Sequence, residues 1–404
     1  MIEEVPGGVI APKGFVAGSA HCGLKSNNKY DIGIITSETP CKAAALFTTN
    51  QIVAAPITYS QKIIKSGNIH AIVVNSGNAN ACTGKRGYKD AETMAHLTAK
   101  QLNTTPDKVL VASTGIIGRP LPMKKITAGI CKVADSLGNN LTHATNIAKT
   151  IMTTDLVPKH IAVKIPIATK EVTIGAIAKG SGMISPKMAT MICIITTDAE
   201  ISLNTLRSCL KDSVEESFNQ ITVDGHMSTN DMVAILANGM AGNKNITFST
   251  KKELALFQKA LDHVTQLMAA AIVKDGEGAT KFIQIEVHEA KSTRDAKKIA
   301  RSIAESPLVK TAIHGEDPNW GRIVSAAGYA GIRLDESRIK LSINKIVIFR
   351  NGLPVTPAPG NLNNEMKKNE ILIQLSLGLG KKRTTMWTCD LSKEYITINA
   401  DYHT

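Results

Sequence analysis

The chain predicts an α+β fold of layered β-sheets covered by helices, and three observations carry that expectation. Apolar strand-like runs and helix-like periodicities alternate unevenly, not as a regular βαβ series. Tight Gly/Pro loops follow several of the strands. Polar and charged residues crowd into those loops, where functional groups are carried most often. The 404 residues are 43% hydrophobic and 20% charged, a globular composition long enough for about two or three domains.

Taken in order, residues 69–75 read as a buried strand running into 76–82, a loop of small and amide side chains. Asp90 is placed to cap a helix through about Leu102, after which strand 109–112 enters the tight loop 113–120. Residues 171–178 and 190–197, rich in Ile, Val and Thr, read as neighbouring strands joined by a glycine-rich turn. Asn204 suits the N-cap of a helix whose Leu206, Leu210, Val214 and Phe218 recur every fourth residue. Residues 254–272 repeat the signal with Leu254, Phe257, Leu261, Val264 and Met268. A Gly-rich loop at 274–280 leads into strand 282–287, a short amphipathic helix spans 295–304, and 312–322 read as a polar loop. Residues 352–368, with Pro354, Pro357 and Pro359, read as a surface loop, and no short-period repeat is present.

Several functional classes are disfavoured. The N-terminus is acidic where a secretory signal is basic, and no run approaches the roughly 20 apolar residues of a membrane span, so a cytoplasmic protein is expected. The seven cysteines are scattered without a Cys-x-x-Cys pair, and most read as small buried hydrophobes. No phosphate loop or Gly-x-Ser-x-Gly elbow occurs. Asp224-Gly-His226 and His314-Gly-Glu316-Asp317 lack a metal-ligand spacing, so neither metal nor cofactor is expected. The net charge of +13 keeps nucleic-acid binding open as a rival. Against it, the lysines are dispersed and aromatics are only 4%; a basic field attracts small anionic substrates equally well.

The most informative segment runs from Lys179-Gly-Ser-Gly through Pro186 into Ala189-Thr190 and an apolar strand. Local pattern reads Thr190 as the start of that strand, since β-branched residues favour strands. If the Ala189-Thr190 bond were cut, the freed α-amine would stand beside the threonine's own hydroxyl and serve as its base. By the same local measure Lys179 and Glu277 read as solvated charges, and Thr114-Gly115 as a turn ending a strand.

Seven motifs stand in order along the chain: Thr114-Gly115, Thr153-Thr-Asp155, Lys179-Gly-Ser-Gly-Met183, Met188-Ala-Thr-Met191, Gly276-Glu-Gly-Ala-Thr-Lys281, Gly315-Glu-Asp-Pro-Asn-Trp-Gly-Arg322 and Ile398-Asn-Ala-Asp-Tyr402. Together they resemble the ornithine acetyltransferase (glutamate N-acetyltransferase) family of arginine biosynthesis over nearly the whole chain. The resemblance implies a fold similar to the amidohydrolase DmpA and to the N-terminal nucleophile hydrolases. It implies self-cleavage between Ala189 and Thr190 into an α-chain of residues 1–189 and a β-chain of residues 190–404. It further implies that Thr190 takes acetyl from N-acetylornithine and passes it to glutamate, with Thr114 and Gly115 as the oxyanion hole. Thr153, Lys179, Thr190, Glu277, Asn399 and Thr404 match the family's substrate-binding positions, and the assembly implied is two α and two β chains. Members that also use acetyl-CoA share these motifs with members that do not, so the donor set stays open. His226-Met227, Ser185 and Lys187 depart from the family pattern. Two rivals remain at this stage: an amide hydrolase or secondary-metabolite acyltransferase built on the same acyl-enzyme, and the basic nucleic-acid binder.

Overall fold

The computed structural model describes residues 2–26, 28–185, 191–356 and 361–401. Ala189, Thr190 and Thr404 lie outside them, as do Lys187 and residues 357–360 of the expected surface loop. The chain divides into two compact units, Met1–Asn219 with His226–Ile272, and Gln220–Gly225 with Val273–His403.

The first unit is built on a sheet of nine strands. In chain order these are β1 (Glu3–Val5), β2 (Phe15–Ala20), β3 (Ile32–Phe47), β4 (Asn68–Asn78), β5 (Val109–Ile116), β6 (Lys159–Ile167), β7 (Lys170–Lys179), β8 (Ile192–Thr197) and β9 (Met232–Ala237). Their order in the sheet is β1-β6-β7-β8-β9-β3-β4-β5, with β2 pairing on β3. The runs in β4, β5 and β8 are continuously apolar because both faces of the sheet are covered. Ile72, Val74, Leu110, Ala112 and Ile194 belong to one core, while Ala71, Val73, Val109 and Val111 face the opposite one. Helices α2 (Gly84–Gln101) and α3 (Met123–Ala134) close the second core with Met94, Ile126 and Ile130, and α4 (Leu141–Thr150) closes the first with Ala144 and Ile147. Also in this unit are α1 (Ala55–Ile63), α5 (Leu203–Glu215) and most of α6 (Lys251–Lys274).

The second unit carries a six-stranded sheet in the order β13-β12-β11-β14-β10-β15. The strands are β10 (Phe282–Ala290), β11 (Lys340–Ile343), β12 (Ile346–Arg350), β13 (Leu353–Pro354), β14 (Glu370–Ser376) and β15 (Lys382–Cys389). Here the period-2 alternation is clean. Ile283, Ile285, Val287, Ile371, Ile373 and Leu375 pack in one core with α7 (Thr293–Ala304), α8 (Pro307–His314) and α9 (Trp320–Gly328). On alternate positions Gln284 donates to Glu286 along β10, and Gln374 of β14 donates to Glu286 across the strands. The remaining helices are α10 (Asn361–Met366) and α11 (Lys393–Asp401). A sheet of mixed strand direction with helices packed on it, in each unit, makes this the α+β fold expected.

Boundaries moved where a polar turn carried no periodic signal. α2 begins at Gly84, not at Asp90, because its exposed first turn of Gly84, Lys85 and Arg86 shows no apolar stripe; Asp90 lies mid-helix and buried. The cap of α5 is Ser202, whose hydroxyl accepts the Thr205 N–H, so Asn204 is already helical; Phe218 follows in a short 3-10 turn, fully buried. Thr114 and Gly115 lie within β5 and not beyond it. The polar loop 312–322 narrows to the residues between α8 and α9, and α10 and β13 occupy parts of the expected surface loop. Cys41, Cys193, Cys209 and Cys389 are buried as expected, whereas Cys82 is exposed. Among the described residues no helix is long and apolar enough to cross a membrane.

The expected chain boundary at 189/190 falls between β7 and β8, which pair antiparallel in the middle of the first sheet. β8 is bonded to β7 on one side and to β9 on the other, so its place in the sheet does not depend on chain continuity with β7. Leu110, fully buried on the edge strand β5, tests this core. Leu110→Ala is expected to lower stability by about 2–5 kcal/mol, read as a lower urea midpoint with an unchanged slope.

Candidate active site

β4 and β5 run parallel, with Ser76 opposite Thr114 and Gly77 opposite Gly115, and the register breaks just beyond that point. Gly115 has φ +127°, and a Cβ there would lie 2.4 Å from the Gly77 carbonyl carbon. Only glycine fits so close an approach. Thr114 is 3% exposed, and its hydroxyl oxygen accepts a hydrogen bond from Lys179 Nζ at 3.3 Å. Lys179 closes β7 and is itself 2% exposed, so it is not the solvated charge that local pattern suggested. The tertiary fold brings together two predicted site residues 65 positions apart, on strands that are not neighbours in the sheet.

Asp155 anchors this corner. Its Oδ1 accepts from Lys159 Nζ at 2.7 Å and from the Gly180 N–H at 2.7 Å, and its Oδ2 accepts the Thr153 N–H at 2.9 Å. Burial pushes its carboxyl up, but the Lys179 and Lys159 ammoniums outweigh burial and bring it down to about 2. The same charges reach Lys25, whose burial pushes its ammonium down to about 8 against the pull of Asp31 and Asp155, with Lys179 adding to the fall. Thr153 and the Lys179-Gly180 turn are thereby tied to one carboxylate.

In the second unit Glu277, 9% exposed, accepts from Asn399 Nδ2 at 2.8 Å across 122 positions. Gly278 makes this docking close: with φ +68°, its Cβ would lie 2.5 Å from the Tyr395 backbone nitrogen of α11. Ser392 Oγ donates to the Gly278 carbonyl at 2.6 Å, and Tyr395 OH donates to Asp224 Oδ2 at 3.3 Å.

The predicted residues thus assemble in two groups, Thr114, Gly115, Lys179 and Thr153 in the first unit and Glu277 with Asn399 in the second. Sequence reasoning missed the role of Asp155, although it lay inside a quoted motif. Its signal was an acid two residues after Thr153, a spacing that lets a carboxylate bend back onto the Thr153 N–H. It also missed Asn230 and Asp231. Near the departing His226-Met227 pair, the Met227 carbonyl accepts from Asn50 Nδ2 at 3.1 Å. Among the described residues no three or more His, Cys, Asp or Glu side chains stand together as metal ligands.

A buried hydroxyl polarised by an ammonium, beside a glycine amide at a strand end, is equipment suited to an acyl-transfer enzyme. Residues 16–404 match the ArgJ family, and the chain belongs to it. It is 44% identical to the arginine biosynthesis bifunctional protein ArgJ of Symbiobacterium thermophilum, covering 100% of both chains. It is 46% identical to the protein of that name from Thermotoga neapolitana, over 98% of this chain and 100% of the other. A solved ornithine acetyltransferase of Mycobacterium tuberculosis, in complex with ornithine, is 36% identical over 46% of this chain and 98% of its own, with a TM-score of 0.43.

Asp155→Asn retains the hydrogen-bonding shape but removes the negative charge facing two buried ammoniums. Breaking such a pair is expected to lower stability by about 3–5 kcal/mol at neutral pH, measured by denaturant unfolding. Because the folded carboxyl sits below its ordinary 3.8, its contribution is fully present above that value and lost as pH falls towards about 2. The variant's acid-unfolding curve is therefore expected to be flatter across that window.

Proposed function

We propose that this chain is a self-cleaving glutamate N-acetyltransferase that moves acetyl from N-acetylornithine to glutamate. Its family membership and its relatives' role in arginine biosynthesis support the acetyltransferase reading over a hydrolase or a nucleic-acid binder. The observation that carries the site is the buried contact of Lys179 with Thr114.

In the proposed maturation, Thr190 Oγ attacks the Ala189 carbonyl, the peptide nitrogen leaves as the new α-amine, and water hydrolyses the resulting ester. This yields chains 1–189 and 190–404. In turnover the Thr190 α-amine takes the Oγ proton as Oγ attacks the acetyl carbonyl of N-acetylornithine. The oxyanion is received by the Thr114 hydroxyl and the Gly115 N–H, donors worth about 3 kcal/mol each in comparable sites. Collapse expels the ornithine amine, which regains the proton. The glutamate α-amine then attacks the acetyl ester and frees Thr190.

Lys179 is proposed to pair with the substrate carboxylate, a charge-assisted contact strengthened by its burial. Glu277 is proposed to hold the ornithine ammonium or orient the glutamate amine, with Thr153, Asn399 and Thr404 adding neutral hydrogen bonds. Asn399 already bonds Glu277, which supports the pair acting on one ligand. The relatives are called bifunctional, and acetyl-CoA is proposed as the donor of the second activity. The proposed assembly is two α and two β chains, in the cytoplasm.

Mass measurement under denaturing conditions is expected to give two fragments beginning at Met1 and Thr190, and Thr190→Ala one uncut, inactive polypeptide. Acetyl-labelled N-acetylornithine is expected to label N-acetylglutamate only when glutamate is present. Label released as acetate without glutamate-dependent transfer overturns the reading. Acetyl-CoA as label source tests the second donor. Gly115→Ala is expected to lower kcat by about 100-fold or more through loss of an oxyanion donor and its backbone geometry.

A further inference from the structure

The reaction above leaves residues 228–231 without a role, yet the last two of them reach the chain on either side of the first unit's proposed chemistry. Asn230, 4% exposed, donates from Nδ2 to the Ala79 carbonyl at 2.7 Å and to the Ser113 carbonyl at 2.9 Å. Ser113 immediately precedes Thr114. Asp231, fully buried, accepts the Met191 N–H on Oδ1 at 2.9 Å. Met191 immediately follows Thr190, so the amide held is the one joining residues 190 and 191. Two adjacent side chains therefore hold the neighbour of the oxyanion threonine and the neighbour of the nucleophile.

Further hydrogen bonds support the hold on both sides. The Met191 carbonyl accepts the Met232 N–H at 3.0 Å, and the Asp231 carbonyl accepts the Thr48 N–H at 3.1 Å. On the oxyanion side Ser113 Oγ donates to Asn75 Oδ1 at 2.6 Å, and Asn75 Nδ2 donates to the Asn78 carbonyl at 2.9 Å. Thr229 Oγ1 donates to Asn230 Oδ1 and fixes which way the amide points. Among the described residues the second oxygen of Asp231 makes no close hydrogen bond, although the Thr48 and Ser228 side chains lie near enough to favour the charged carboxylate. Burial pushes this carboxyl well above the usual range in spite of the Met191 bond. Burying a carboxyl group is costly, and satisfying one strand-end N–H does not require one. Scission before residue 190 would also turn the start of this strand into a chain terminus, where fraying is the ordinary tendency.

We infer that Asn230 and Asp231 are a positioning pair that sets the distance between the acyl-accepting threonine and the oxyanion loop, Asp231 by clamping the first peptide of the cleaved chain. The inference rests on the reaction proposed above. A misplacement of reacting groups by about 1 Å can cost about 100-fold in rate, so a clamp on each side bears on kcat and not on substrate affinity.

The test compares Asp231→Ala, Asp231→Asn and Asn230→Ala in the full chain. Self-cleavage is followed by denaturing mass, folding by near-UV circular dichroism and melting, and turnover by labelled acetyl transfer. Asp231→Ala is expected to lower kcat at least about 30-fold with KM within about twofold, and to slow self-cleavage. Asp231→Asn, which still offers an oxygen to the Met191 N–H, is expected to recover about tenfold or more of that loss with an unchanged pH profile. Asn230→Ala is expected to lower kcat about tenfold or more with KM unmoved. Wild-type kcat in folded Asp231→Ala overturns the inference. So does Asp231→Asn that is folded and cut but no more active than Asp231→Ala. If Asp231→Ala does not fold, Asn230→Ala decides: unchanged kcat overturns the pair, and reduced kcat at constant KM supports it. Failure of the reaction itself is separable, because it shows in the wild-type protein as an uncut chain or no glutamate-dependent transfer.

Discussion

Taking an ammonium out of water costs several kcal/mol unless a counter-charge and hydrogen bonds go with it. Lys159 and Lys179 are 3% and 2% exposed, and both lie within the field of the Asp155 carboxylate. That carboxylate also receives the Thr153 and Gly180 N–H groups, so one group both neutralises the corner and shapes its backbone. The consequences reach Thr114 on β5 through Lys179, the last residue of β7. With Lys179 held in place, its ammonium can sit against a hydroxyl within a dry sheet, where an electrostatic contact is stronger than at a surface.

The sheet supplies the rest of the arrangement. Parallel pairing of β4 with β5 sets Gly77 against Gly115, and the approach is so close that a side chain at Gly115 would strike backbone. β8 is enclosed between β7 and β9, so the strand that follows the proposed nucleophile is bonded along both edges. Around these strand ends lies a chain of buried amides and hydroxyls, Asn75, Ser113 and Asn230, each with a partner. A satisfied network of this kind favours one geometry because any displacement leaves a buried polar group unpaired.

Much of the fold was legible. The Ile/Val runs at 69–75, 109–112 and 282–287 announced strands, and the fourfold recurrence from Leu206 to Val214 announced α5. Errors fell at ends, where Ser202 and not the expected Asn204 caps α5 and the exposed start of α2 carried no periodic signal. Lys179 and Glu277 resembled surface charges, because a sequence shows a charge but not the sheet that covers it. Asp155, Asn230 and Asp231 were legible as residue types and not as partners, since the Gly180, Ser113 and Met191 groups that they bond lie 25, 117 and 40 positions away.

Sequence alone determined the ordered motifs, the alternation of apolar runs, and the glycine that β5 needs at 115. Those are local matters of propensity and backbone freedom. The tertiary structure decided which hydroxyl Lys179 meets, that Asp155 draws Thr153 and Gly180 together, and that Asn399 reaches Glu277. Such pairings join residues far apart along the chain, and burial sets their strength; neither the pairing nor the burial is a property of any one segment.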